Sequence, residues 1–138
     1  MASVLSIDYG LKRIGLAVSD PSRTFAFPSG VIENKNLNFV FDSLRKIVDE
    51  KEIDLIIVGL PYNMDKTKSK MTEQVEEFIK RLQDSFNIQI KTIDERLSSF
   101  AAEENLKDSG LNSKKAKKFV DEEAARLLLV EFLENNMK

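Results

Sequence analysis

The chain has 138 residues, of which 42% are hydrophobic and 32% charged, and its formal net charge is −2. This length and composition predict one globular domain over residues 1–138 and exclude disorder. No apolar run approaches the roughly 20 residues of a transmembrane helix and no signal peptide opens the chain, so we expect a cytoplasmic protein without membrane contact. Cysteine and histidine are absent. Any metal must therefore bind oxygen ligands, which suit Mg²⁺ or Mn²⁺.

The first 20 residues predict a β-hairpin. Alternating, β-branched residues favour strands at Val4–Ile7 and Ile14–Val18, and Gly10 supplies the backbone freedom of a tight turn between them. Asp8 stands where the first strand ends. A carboxylate at that position could bind a metal, although Asp is equally common as a simple turn residue.

The middle of the chain predicts a strand, a helix and a second strand. Thr24–Ile32 has the proline and glycine of a bulged edge strand. Apolar residues recur at helical spacing through Leu37–Glu50, with Asn36 or Asn38 available as a cap. Leu55–Leu60 is continuously apolar, as expected of a central parallel strand covered on both faces.

The remaining elements complete an α/β fold. An apolar stripe from Met71 to Leu82 predicts a helix, and Ile88–Ile93 predicts a fifth strand. Two further helices are expected, one from Ser98 or Ser99 to about Lys107 and one from Ser113 to near Glu134. Three antiparallel strands followed by two parallel strands give a five-stranded mixed sheet flanked by helices.

Asp121 is an acidic residue on the inward face of the last helix. Ala124, Ala125 and Leu128 lie three, four and seven positions further on, so they share its face. The two alanines would let this helix approach the sheet closely. A buried carboxylate is unfavourable unless it is paired or binds a cation.

Three carboxylates are therefore expected at one edge of the sheet, namely Asp8, Glu95 after the fifth strand, and Asp121. Parallel strands end at the same edge, where ligand sites of such sheets form. Strand spacing leaves Asp8 and Glu95 roughly 10 Å apart, which suits a pair of metal ions ~4 Å apart. Ordinary ion pairs are the alternative: Glu95 with Arg96, and Asp121 with Lys117 or Arg126.

Four stretches of the sequence resemble the YqgF/RuvX family. They are Asp8–Asp20 (DYGLKRIGLAVSD), Val58–Asp65 (VGLPYNMD), Asp94–Ser99 (DERLSS) and Val120–Ala125 (VDEEAA). The resemblance implies a ribonuclease H-like fold and a metal-dependent nuclease, either a Holliday junction resolvase or a nuclease that matures the 5′ end of pre-16S ribosomal RNA. It also implies that Asp8, Glu95 and Asp121 are the catalytic and metal-binding residues.

A nucleic acid, either precursor ribosomal RNA or branched DNA, is the partner that this hypothesis predicts. Basic and polar residues near the sheet edge could contact its phosphates. An ordinary solvated surface is the alternative for most of them. A junction resolvase needs two active sites, so a junction substrate would favour a homodimer. The predicted substrate-binding residues are Lys12, Arg13, Asn63, Arg96, Lys114, Lys117 and Lys118.

Two other functions fit the sequence. The acidic balance, and the absence of a carboxylate directly after Leu55–Leu60, favour a nucleic-acid-binding or regulatory module that has the fold without useful catalysis. The glycines and lysine after Asp8 also resemble the first phosphate loop of actin-like kinases. That fold closes two domains on a nucleotide, for which 138 residues are too few unless the chain dimerises.

Overall fold

The structure is a computed structural model that describes residues 3–62, 65, 67–94 and 113–136, with side chains described for 120–135 in the last segment. It contains five strands and three helices within these residues. The strands are β1 (Ser3–Asp8), β2 (Arg13–Ser19), β3 (Ala26–Glu33), β4 (Ile53–Leu60) and β5 (Gln89–Asp94). The helices are α1 (Leu37–Glu50), α2 (Lys70–Ser85) and α3 (Ser113–Asn136). The helix predicted from Ser98 or Ser99 to Lys107 lies outside the described residues.

The five strands form one mixed sheet in the order β3-β2-β1-β4-β5. β1 pairs antiparallel with β2, β2 pairs antiparallel with β3, and β4 is parallel to both β1 and β5. The predicted bulge is present between β2 and β3, where the register shifts between Gly15 and Ala17. The predicted five-stranded mixed sheet is therefore confirmed, with β4 between β1 and β5.

Local hydrogen bonds begin the first two helices. Asn36 caps α1, because its side chain accepts a hydrogen bond from the backbone N–H of Phe39. Ser69 and Thr72 form a reciprocal capping box at the start of α2. The Thr72 hydroxyl also donates to the carbonyl of Pro61, which fixes the exit from β4 against α2.

Both faces of the sheet are covered. Leu5, Ile7 and neighbouring apolar residues form a core with α1 and α2 on one face. Val4 belongs to a second cluster, with Ala125 and Leu129 of α3, on the other face. Side chains alternate between the faces of a strand, so Asp8 lies on the same face of β1 as Val4, the face that α3 covers.

The edge at which β1, β4 and β5 end is the position of the candidate site. Ile7 pairs with Val58, and Leu60 pairs with Asp94, so the three parallel strands finish side by side. The chain leaves β1 towards β2 on one side of the sheet, and it leaves β4 towards β5 on the other. The crevice at such a divergence is where open α/β sheets bind ligands.

Candidate active site

Asp8 and Asp121 are brought together by a glycine that lies between them. In the register of the hairpin, Asp8 of β1 is the direct partner of Gly15 of β2. A Cβ atom placed on Gly15 would lie 1.9 Å from the backbone oxygen of Asp121, so α3 touches β2 at this residue. Only glycine permits so close an approach. Asp8 and Asp121 therefore lie on neighbouring elements at the face of the sheet that α3 covers.

A second contact sets the position of α3 one turn further along. The Ser6 hydroxyl is fully buried and donates to the carbonyl of Ala125 over 2.8 Å. Ala124 and Ala125 are themselves buried at the sheet, as their small size predicts. The contact with Ser6 thus fixes the position of α3 along β1, and the contact with Gly15 fixes its distance from β2. Together they determine where Asp121 lies.

Asp121 is paired with Arg13 in this structure. The Arg13 Nε donates to Asp121 Oδ2 over 2.7 Å, and the side chains are 34% and 22% exposed, respectively. Burial raises the pKa of Asp121 above its ordinary value of 3.8, while the hydrogen bond and positive charge of Arg13 lower it by a smaller amount. Arg13 therefore offsets part of the cost of burying this carboxylate, but not all of it.

The predicted ion-pair alternatives for Asp121 can be compared with this partner. Arg126 binds Glu123, with its Nε 2.8 Å from Glu123 Oε2, so it is not the partner of Asp121. The side chain of Lys117 lies outside the described residues. The expectation of an ion pair within the helix was thus wrong for Arg126, because a cation from β2 reaches Asp121 instead.

The turn between β1 and β2 is held by a residue that the sequence analysis did not identify. The Asn34 amide donates to the carbonyl of Gly10 over 2.9 Å and to the Tyr9 hydroxyl over 3.2 Å. Its backbone N–H also donates to the carbonyl of Lys12. Asn34 directly follows β3, and this position at a strand end was the available signal.

Gly10 is required in the same turn for a reason that differs from the predicted one. Its φ lies outside the left-handed region, so the backbone freedom of glycine is not what this position uses. A Cβ there would lie 2.3 Å from the carbonyl oxygen of Arg13. The turn needs space rather than an unusual φ, and this tight closure presents Lys12 and Arg13 at the sheet edge.

The structure describes the other predicted site residues to different extents. The backbone of α3 carries Lys114, Lys117 and Lys118 in its first two turns, although their side chains lie outside the described residues. Lys12 is exposed in the turn. Asn63, Glu95 and Arg96 also lie outside the described residues, and Glu95 directly follows Asp94, the last residue of β5.

The donor set at this edge fits a hard divalent cation. The acidic residues described there, Asp8 and Asp121, offer carboxylate oxygens, and Asp121 already binds the guanidinium of Arg13. Within residues 3–62, 65, 67–94 and 113–136, no three acidic side chains are close enough to hold a metal. A metal bound here would therefore need a further ligand from elsewhere in the chain, and Glu95 is the predicted one.

Comparison with known proteins identifies the family. The sequence model of the family described as "RuvX: Holliday junction resolvase" matches residues 2–135. The chain belongs to the RuvX family. A relative from Maridesulfovibrio salexigens named "Putative pre-16S rRNA nuclease" is 42% identical over 130 residues, which cover 94% of this chain and 96% of the relative. A relative of the same name from Clostridium botulinum strain Hall is 36% identical and covers 98% of both chains.

Solved structures share the fold of this RuvX-family chain. Fowlpox virus resolvase in complex with Holliday junction DNA superposes with a TM-score of 0.62 at 15% identity over 99% of both chains. RuvC of T. thermophilus in complex with a Holliday junction gives 0.60 at 11% identity, over 97% of this chain and 96% of RuvC. The predicted ribonuclease H-like fold is confirmed. Among the described helices of this chain, none has the length and apolarity needed to cross a membrane.

Proposed function

We propose that this RuvX-family protein is a metal-dependent nuclease that hydrolyses phosphodiester bonds at the edge where β1, β4 and β5 end. One observation supports this most strongly. The contact between Gly15 and the backbone of Asp121 brings this residue of α3 next to the strand pair that carries Asp8. A divalent cation shared by two carboxylates that face one space stabilises both, and we propose that Asp8 and Asp121 bind a cation in this way.

Asp8, Asp121 and Glu95 would hold Mg²⁺ or Mn²⁺. When bound, a pair of such ions would supply activation of water for in-line attack and stabilisation of the charge that develops on the phosphate. The protein contributes position and charge. β1 and α3 would hold two of the acids in place, and the packing of α3 on β2 limits the access of bulk water to Asp121.

The basic residues bind and orient the nucleic acid in this proposal. Lys12 and Arg13 would contact phosphates next to the scissile bond, with Asn63 and Arg96 as further contacts. In the first two turns of α3, Lys114, Lys117 and Lys118 would contact the sugar-phosphate backbone of the substrate. Such contacts supply affinity without sequence preference and weaken as salt is raised.

The substrate that we propose first is the 5′ region of precursor 16S ribosomal RNA. The names of relatives that align over nearly their whole length support it. The fold shared with resolvases in complex with junction DNA favours a four-way junction as the second candidate. A junction substrate further implies a homodimer, since two strands are cut. We place the enzyme in the cytoplasm, as one domain.

The alternative is a binding module without useful catalysis. The residue that follows β4 is Pro61, so no carboxylate directly follows the central strand. In such a module the site would bind nucleic acid and leave it intact. Cleavage assays therefore separate the two functions.

The decisive experiment offers a ribosomal RNA precursor and a four-way DNA junction to purified protein with Mg²⁺ and with Mn²⁺. Wild-type protein should cut at least one substrate, whereas Asp8→Asn and Asp121→Asn should bind it without cutting. Asp54→Asn is the matched control, because Asp54 lies near the start of β4, at the opposite edge of the sheet. Full activity of Asp8→Asn would refute the proposal. Binding by wild-type protein with no cleavage of either substrate would favour the binding module.

A further inference from the structure

We propose that Arg13 is exchanged between Asp121 and a substrate phosphate, so that binding of the divalent cation makes the arginine available to the nucleic acid. This inference rests on the proposed nuclease function. It assigns to Arg13 a coupling role beyond simple phosphate contact, and it predicts that cation and substrate strengthen each other's binding.

Arg13 has a fixed backbone and a partly exposed side chain. It is the first residue of β2, directly after the turn that Asn34 braces, so its backbone is fixed at the sheet edge. Its Nε is committed to Asp121, yet one third of the side chain remains exposed. A guanidinium has five N–H donors in a planar fork, which suits a phosphate as well as a carboxylate.

Two cations compete for Asp121. Asp121 Oδ2 lies 2.7 Å from Arg13 Nε, so a divalent ion that coordinated this carboxylate would lie close to the guanidinium charge. Like charges at such a distance repel, most strongly where burial reduces the screening. Coordination of the ion therefore weakens or breaks the contact of Arg13 with Asp121.

Once released from Asp121, the side chain of Arg13 can move towards solvent. Lys12, the neighbouring residue in the chain, is exposed on the solvent side of the same turn. An arginine released from Asp121 can join it and present two cations to the sugar-phosphate backbone. Without the divalent ion, the same arginine must first give up its carboxylate, which weakens substrate binding. By linkage, the substrate must then strengthen cation binding by an equal factor.

The test compares Arg13→Gln with Lys12→Gln, which removes the same charge one residue away from the pair. Mn²⁺ binding to each protein without nucleic acid is measured by calorimetry at pH 8, with circular dichroism to verify folding. Arg13→Gln should bind Mn²⁺ about tenfold more tightly than wild type, because its competitor is gone. Lys12→Gln should change the Mn²⁺ affinity by at most about twofold, because the exposed charge of Lys12 is screened by solvent and salt. Arg13→Lys keeps the charge without the planar guanidinium, and its Mn²⁺ affinity should lie between those of Arg13→Gln and Lys12→Gln.

The second measurement is junction binding by stopped-flow anisotropy, which reads association before cleavage, with and without Mn²⁺. The strengthening of binding by Mn²⁺ should be about tenfold smaller in Arg13→Gln than in wild type, and Lys12→Gln should keep the wild-type factor. Unchanged or weaker Mn²⁺ affinity in Arg13→Gln refutes the exchange while leaving the nuclease proposal intact. If wild-type protein shows no saturable Mn²⁺ binding, the cation site itself is refuted and the exchange with it.

Discussion

Replacing Gly15 with alanine tests how α3 positions Asp121. The added Cβ would lie 1.9 Å from the Asp121 carbonyl oxygen and 2.4 Å from its carbonyl carbon, whereas ordinary contact begins at 3.4 Å. Relief therefore requires the helix and β2 to separate by about 1.5 Å. The helix cannot tilt freely, because Ala125 and Leu129 are fully buried against the sheet. Overpacking of this kind should cost about 3 kcal/mol in unfolding free energy.

The same displacement should reduce catalysis. A misplacement of about 1 Å at a reacting group can lower the rate about a hundredfold. Urea unfolding gives the stability, and initial cleavage rates with Mn²⁺ give the activity, at a temperature where the variant is folded. Gly30→Ala is the control, because φ is +89° there and a Cβ meets nothing within 4 Å. It should cost about 1 kcal/mol through backbone strain alone and leave cleavage unchanged. Wild-type stability and activity in Gly15→Ala would refute the close-approach argument.

Three further predictions concern single side chains. Asp121→Asn should lose cation binding without losing stability to urea at pH 7. Burial raises the pKa of Asp121, so ionisation of this carboxyl lowers the free energy of unfolding as the pH rises above 3.8. A clear loss of unfolding free energy in Asp121→Asn would contradict this prediction. Hydrogen bonds, chiefly from the backbone N–H of Phe25, hold the pKa of Asp20 at about 2. Ionised Asp20 therefore contributes its full stabilisation above pH 3.8, and this stabilisation is lost as the pH falls towards 2. The difference in unfolding free energy between wild type and Asp20→Ala should disappear over that pH range. A difference that stays constant in acid titrations would contradict this prediction. Ser6→Ala should cost about 1 kcal/mol in urea unfolding, because a buried hydroxyl loses its bond to Ala125, and no change would exclude that bond as a clamp on α3.

Much of the fold could be predicted because local pattern and tertiary structure agree. The continuous apolar run at Leu55–Leu60 became part of β4, which lies between β1 and β5 and is buried on both faces. The stripe from Met71 to Leu82 became α2, and Asn36 proved to be the cap of α1. The small residues after Asp121 predicted its inward face, since Ala124 and Ala125 are buried at the sheet.

The contacts that build the site could not be predicted, because they join residues far apart in sequence. Arg13 and Asp121 are 108 positions apart, and nothing in either local pattern indicates the pair. Gly15 looked like an ordinary strand residue until α3 was seen to touch it. Asn34 reaches back across the hairpin to the turn, a contact that depends on the register between β2 and β3.

We propose that Asp8 and Asp121 share one divalent cation. The most direct measurement is calorimetric titration of Mn²⁺ into wild-type protein, Asp8→Asn, Asp121→Asn and the control Asp54→Asn, all without nucleic acid. We predict saturable binding by wild type and Asp54→Asn, and its loss in each of the other two variants. Binding of wild-type strength in either Asp8→Asn or Asp121→Asn would contradict the claim.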